Sequence, residues 1–210
     1  MELVLIPGAY SSPYTWSYLQ TQLPAGIHPH CLKYDTEAPI EQTLEKSAKL
    51  LKKQFGSEEL CLVGHSLGGI LAFSLSHRLD NISGTVASAS PFGGLMLSRF
   101  MHSMTYPLSL YVKTTGKTGF FGFDNNAIEG YQNFWDNIHP NNRVLKHLRE
   151  TPLRVPGLTL IMELSNMNIW MEPSDGTVST SSQMALGEKH NLRMVKFEGN
   201  HQDGVLHPGV

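Results

Sequence analysis

Short apolar runs alternate along the chain with stretches of helical periodicity, the pattern that βα units and a mostly parallel sheet leave in a sequence. Residues 2–6 (ELVLI) predict a buried-type strand, stopped by Pro7 and Gly8. Ser12 and Pro13 then open a short helix carrying Trp16 and Leu19, in the serine-then-proline order that helix starts favour. Residues 28–34 predict a second strand. Over 40–55, Ile40, Leu44, Ala48, Leu51 and Phe55 share one face while lysines and glutamates occupy the other, which predicts the clearest amphipathic helix in the chain.

Residues 59–65 (ELCLVGH) predict a strand that runs straight into a helix over 67–79, and 82–89 predict the next strand, ended by Pro91. Regularity returns with a strand at 157–164, a helix at 178–186 and a last strand at 192–197. Between them, 92–156 shows no clean alternation and is rich in aromatics and methionine: Met96, Phe100, Met101, Met104, Tyr106, Tyr111, Phe120, Phe121, Phe123, Tyr131 and Phe134. No repeat, low-complexity segment or domain boundary is visible. The expectation is one domain over 1–210, with 92–156 inserted into it after the strand ending near Ala89.

A chain of 210 residues suits a single domain with a sizeable core. Its charged fraction of 16% lies below the roughly 25% of typical chains, which fits extensive burial or an apolar face meeting a greasy ligand. The formal net charge of -2 leaves no electrostatic footprint for nucleic acid or an anionic membrane. Cys31 and Cys61 are too few for a disulfide scaffold and lack zinc-site pairing, so two buried thiols on neighbouring strands are expected. MELVLIPG enters a strand without the basic region and long apolar stretch of a signal peptide, and no apolar run approaches the roughly 20 residues of a membrane span. A cytoplasmic, reduced protein is expected, in which the Asn81-Ile82-Ser83 sequon has no role.

Gly64-His65-Ser66-Leu67-Gly68 fits G-x-S-x-G. Chance puts such a pentapeptide in roughly one chain in fifteen of this length, so the motif alone is weak. Its context strengthens it. The apolar strand LCLV leads in and an apolar helix follows at once, the strand–turn–helix that a nucleophile elbow requires. There the serine hydroxyl would stand at a helix N-terminus, where the dipole and free N–H groups favour developing negative charge. The competing reading is a serine that merely caps the helix after a glycine turn.

GHSLGG after a strand resembles the α/β-hydrolase family, and PGAYSSPYTW resembles that family's oxyanion loop. The resemblance implies an α/β-hydrolase fold, a mostly parallel sheet flanked by helices, with 92–156 as an apolar lid or as simple cover for the sheet. It implies an oxyanion hole from the backbone N–H groups of Ala9, or Tyr10, and Leu67. It implies the chain order serine, acid, histidine. Asp175, in Ser174-Asp175-Gly176-Thr177-Val178, resembles the acid loop, and His201, in Gly199-Asn200-His201, the histidine loop. Glu163, Glu172 and Asp203 are the fallback acids. His65 is expected to point away from the pocket as a structural residue. Two departures stand out: the chain begins at what corresponds to the family's third strand, as in minimal lipases, and it ends at Val210, leaving little room for a closing helix after His201.

The implied activity is hydrolysis of carboxylic esters with apolar acyl groups through an acyl-enzyme on Ser66. A thioesterase, acyltransferase or amidase using the same three residues stays open, as does a non-catalytic binding protein. The expected partner is a small-molecule ester or acyl substrate, without cofactor or metal; no oligomeric state is read. His28-Pro29-His30 could put two imidazoles on one strand face, but no further ligands lie nearby in sequence. Lys113–Thr118 hints at a phosphate loop, but Tyr111 replaces the required glycine.

Overall fold

Alternate residues of the strand Glu2–Ile6 (β1) are buried on both sides of a sheet, with Val4 and Ile6 in one apolar cluster and Leu5 in another. Burial on both faces is what a parallel sheet covered by helices demands. The computed structural model describes residues 1–99, 101, 125–169, 172–190 and 192–206. After β1 come a 3₁₀ turn at Pro13–Trp16, α1 (Ser17–Gln22), β2 (His30–Cys31), α2 (Ile40–Phe55), β3 (Leu60–His65), α3 (Leu67–Ser76) and β4 (Ile82–Ser88). There follow α4 (Asn125–Asn137), α5 (Arg143–Glu150), β5 (Gly157–Glu163), β6 (Asn168–Ile169), β7 (Glu172–Pro173), α6 (Thr180–Met184), α7 (Gly187–His190), β8 (Arg193–Glu198) and α8 (Asp203–Leu206).

Six strands form one sheet in the order β2-β1-β3-β4-β5-β8, parallel at every pairing. The mostly parallel α/β sheet expected from the alternation is therefore present. On one face α2, α3 and α5 pack Leu44, Leu51, Ile70, Leu71 and Leu145 against β1, β3 and β4. All ten residues of α3 are buried, so its unbroken apolar sequence reflects packing on every side. On the other face Trp16 and Val205 cover Leu5. β6 and β7 form a separate antiparallel pair ahead of the Asp175 loop.

Several expected spans are shorter in the structure. The strand expected at 28–34 is only His30–Cys31, among the described residues an edge strand bonded to β1 alone, and it is preceded by Pro29, which cannot donate to a ladder. The helix expected to reach 79 ends at Ser76, whose hydroxyl donates to the Phe73 carbonyl at 2.7 Å and competes with a further helical turn. The strand expected to end at Ala89 stops at Ser88, because Ala89 takes φ +51. The helix expected over 178–186 is Thr180–Met184: Val178 donates its amide to Asp175 and Ser179 caps the helix, accepting from the Ser182 amide. Cys31 and Cys61 are free but not on neighbouring strands, since β1 lies between β2 and β3. Both are half-buried, and burial pushes their thiol pKa values up.

The region without clean alternation contains α4 and α5. Asn142 caps α5 by accepting from the Val144 amide at 2.8 Å, and Val144, Leu145 and Leu148 form its short apolar stripe. Asn137, at the end of α4, accepts from the Ile40 amide at 2.8 Å and donates to the Ala38 carbonyl at 2.9 Å, so it caps α2 across 97 residues of sequence. Of the apolar residues expected in a lid, Phe100, Met104, Tyr106, Tyr111, Phe120, Phe121 and Phe123 lie outside the described residues, as do Lys113–Thr118 and Val210. Beyond His201 the described chain adds the single turn α8. No helix among the described residues is long and apolar enough to cross a membrane.

Candidate active site

Residues at the carboxyl ends of β1, β3, β5 and β8 converge on one edge of the sheet, where ligand sites of open parallel sheets lie. Ser66 follows β3 directly. Its backbone takes φ +54 and ψ −123, a region that non-glycine residues occupy only when their surroundings impose it. The imposing contacts are backbone ones. A Cβ on Gly64 would lie 2.2 Å from the Gly68 carbonyl oxygen, and one on Gly68 would lie 2.1 Å from that of Ile6. The two glycines let strand, turn and helix approach to a separation no side chain allows. Ser66 makes no side-chain capping bond to α3, so the helix-capping reading of this serine finds no support.

Gly8 lies directly against the elbow: a Cβ there would sit 3.1 Å from that of Ser66 and 3.0 Å from His65 Nδ1. Ala9 and Tyr10 are therefore carried next to the serine. Among the described residues neither the Ala9 amide nor the Leu67 amide meets an acceptor. Leu67 is the first residue of α3, where amides have no partner within the helix.

The acid and the histidine are brought together. His201 Nδ1 donates to Asp175 Oδ2 at 2.7 Å, and the His201 amide donates to the Asp175 carbonyl at 2.9 Å. Asp175 is 1% exposed, and its Oδ1 accepts from the Thr177 and Val178 amides at 2.8 and 2.7 Å. With Nδ1 donating, the neutral His201 ring carries its lone pair on Nε2. No hydrogen bond joins the Ser66 hydroxyl to that ring among the described residues. The fallback acids are engaged elsewhere. Glu163 accepts from Thr180 and pairs with Lys196, Glu172 accepts from Ser181, and Asp203 accepts from the Asn200 amide.

Two residues support this pair from behind. His65 is 1% exposed, and its Nε2 donates to the His201 carbonyl at 2.8 Å, with the two rings 4.8 Å apart. Burial, aided by the neighbouring His201, pushes the His65 pKa down to about 4, so the ring is neutral at pH 7 with its proton on Nε2. Gln183, fully buried, accepts from the Met162 amide and donates to the Met162 carbonyl, both at 2.9 Å, and reaches Asp175 Oδ2 at 3.4 Å. It locks the acid loop to β5. Sequence reasoning missed Gln183; its helix reads TSSQM, polar but for Met184, so no apolar stripe marks the glutamine as buried.

A cavity of about 350 Å³ opens beside the acid loop, lined by Leu95, Met96, Leu97, Phe134 and Trp135, with Gly176 and Thr177 at its edge. His30, half of the His28/His30 pair, contacts Glu2 at 3.0 Å and Gln54 at 3.4 Å. No group of three metal-ligating side chains occurs among the described residues.

Solved structures share this architecture at low sequence identity. A bromoperoxidase from Bacillus anthracis superposes with a TM-score of 0.66 at 16% identity, over 99% of this chain and 88% of its own. ClbQ from the colibactin NRPS/PKS pathway gives 0.64 at 15%, over 98% and 91%. YbtT, the type II thioesterase of the yersiniabactin NRPS/PKS pathway, gives 0.60 at 16%, over 98% and 87%. No curated protein matches the sequence at a significant level. The model of the alpha/beta hydrolase family matches residues 3–208, nearly the whole chain, and with the parallel sheet it establishes that this protein belongs to the alpha/beta hydrolase family.

Proposed function

We propose that the protein is a serine hydrolase that cleaves carboxylic esters with apolar acyl groups, using Ser66 as nucleophile, His201 as general base and Asp175 as its orienting acid. The observation that carries this reading is the buried 2.7 Å bond from His201 to Asp175, anchored to the chain segment that bears the strained Ser66 elbow. In the proposed reaction Ser66 Oγ attacks the acyl carbonyl while His201 Nε2 takes its proton. The charge formed on the carbonyl oxygen is met by the Ala9 and Leu67 amides. His201 returns the proton to the leaving alcohol, and an acyl-enzyme remains. Water, losing a proton to His201, then releases the acid and restores Ser66. Asp175 keeps the Nδ1 tautomer and stabilises the imidazolium. The missing bond between Ser66 and His201 is compatible with this, since catalytic hydrogen bonds are often long before substrate binds.

The cavity beside Thr177 would receive the acyl group, with 92–156 an insertion in a single domain that supplies its Leu95–Leu97 and Phe134–Trp135 walls. A thioester substrate is the second reading, favoured by the type II thioesterase among the structural neighbours.

The test is the intact mass after incubation with a fluorophosphonate, for wild type and Ser66→Ala, paired with turnover of p-nitrophenyl butyrate and of butyryl-N-acetylcysteamine. One adduct on wild type alone, and a loss of about four to six orders of magnitude in turnover in the variant, are expected. An unmodified, folded wild type would overturn the reading. Preference between the two substrates decides between ester and thioester.

A further inference from the structure

The turn after β1 is closed by the Ser11 amide donating to the Gly8 carbonyl at 3.2 Å, which makes Ala9 and Tyr10 its central residues. Tyr10, the second of them, takes φ +56. That position favours glycine, and a tyrosine there costs about 1–2 kcal/mol. Such strain persists only where surroundings over-determine it. Tyr10 is 60% exposed, but one side of its ring rests against that of Phe134 on α4, with centroids 5.2 Å apart, and Phe134 lies 5.0 Å from the buried Trp135. Partial burial, and after it the nearby Glu37 carboxylate, raise the Tyr10 pKa. Glu37 is itself wedged against α4, where a Cβ on Gly130 would lie 2.4 Å from its carboxylate oxygen. The Ser11 hydroxyl bonds the Ala9 carbonyl at 3.4 Å, so the peptide plane between Ala9 and Tyr10 is held from a second side.

We propose that Tyr10 is a positioning residue that couples α4 to the oxyanion loop: its ring, resting on Phe134, fixes the left-handed turn that aims the Ala9 amide, opposite that of Leu67, at the carbonyl oxygen on Ser66. Successive amides around a left-handed residue form an anion-binding concavity, the shape a developing oxyanion needs. The proposal rests on the serine-hydrolase reading. Displacement of α4 would rotate the turn and weaken catalysis without moving Ser66, Asp175 or His201.

The experiment compares wild type, Tyr10→Gly, Tyr10→Phe and Phe134→Leu in turnover of p-nitrophenyl butyrate, in affinity for an aryl trifluoromethyl ketone, and in thermal midpoint. The ketone adds to Ser66 and leaves an oxyanion where the substrate carbonyl would. Glycine relieves the backbone strain, so Tyr10→Gly should fold with an unchanged or higher midpoint. Its kcat should fall by about 10- to 100-fold, less than the loss of a whole oxyanion donor, with KM near wild type. Ketone affinity should fall in proportion to kcat/KM. Tyr10→Phe, which keeps the ring stack, should retain most of kcat, and Phe134→Leu should lower it in the same direction as Tyr10→Gly. A Tyr10→Gly variant with kcat within twofold of wild type, or one affected in KM alone, overturns the proposal while leaving the hydrolase reading intact if wild type still takes the fluorophosphonate. Absence of the adduct from wild type overturns both.

Discussion

Ser66 and Asp175 stand at the same end of one sheet, yet the chain holds them differently. Around Ser66 the restraint is steric and local: Gly64 and Gly68, two residues to either side, let backbone meet backbone and force φ +54 on the residue between. Around Asp175 the restraint is a buried hydrogen-bond network. It runs from the Thr177 and Val178 amides through Gln183 to β5, and through His201 to His65 on β3. A steric restraint fails when an atom is added. A polar one fails when a partner is removed and a buried group is left unsatisfied.

Four substitutions probe that contrast, in decreasing order of expected effect. Asp175→Asn preserves an acceptor for the two loop amides but turns an amide donor toward His201 and favours the wrong tautomer. Ester turnover should fall about ten-thousandfold with little change in urea midpoint. A drop under tenfold would remove Asp175 from the proposed machinery. Gly68→Ala adds a Cβ 2.1 Å from the Ile6 carbonyl and should cost about 3 kcal/mol in urea denaturation, the elbow being unable to yield. Gln183→Leu fills similar space but strips both β5 backbone partners, at about 2 kcal/mol. It should also slow fluorophosphonate labelling while Ser66 stays modifiable; equal labelling would uncouple Gln183 from the site.

The smallest effect appears only in acid. The folded-state pKa of His65, about 4, lies below the unfolded value near 6.5, so the unfolded chain binds more protons between these limits. The contribution is fully present above the unfolded value and is lost as pH falls toward the folded one. Between about pH 7.5 and about pH 5 the wild type should lose about 2 kcal/mol through this group, and His65→Gln should flatten that limb of the urea-midpoint profile. An unchanged slope would assign the acid sensitivity to other groups.

The same contrast explains what the sequence made legible. The elbow and α2 could be read because their determinants are contiguous: GHSLG, and a stripe from Ile40 to Phe55. Asp175 and His201 were legible through short loop motifs; the bond between them, 26 residues apart, came from the structure. Gln183 left almost no trace, because its partners are the backbone groups of Met162, which carry no residue identity. β2 shrank to two residues because an edge strand has a single neighbour, a fact of topology that apolar content does not reveal. α5 escaped notice because eight residues offer barely two turns of periodicity.

Asn137 has one more consequence, for the order in which the protein forms. An isolated helix start is costly to nucleate, and the first turn of α2 is completed by an amide that arrives 97 residues later in the chain. Until α4 docks, the Ile40 amide and the Ala38 carbonyl lose these partners, so the start of α2 frays and the helix is anchored chiefly by Leu44, Leu51 and Phe55. Docking of α4 and completion of α2 thus belong to one cooperative event, in which a late-synthesised segment finishes an early one.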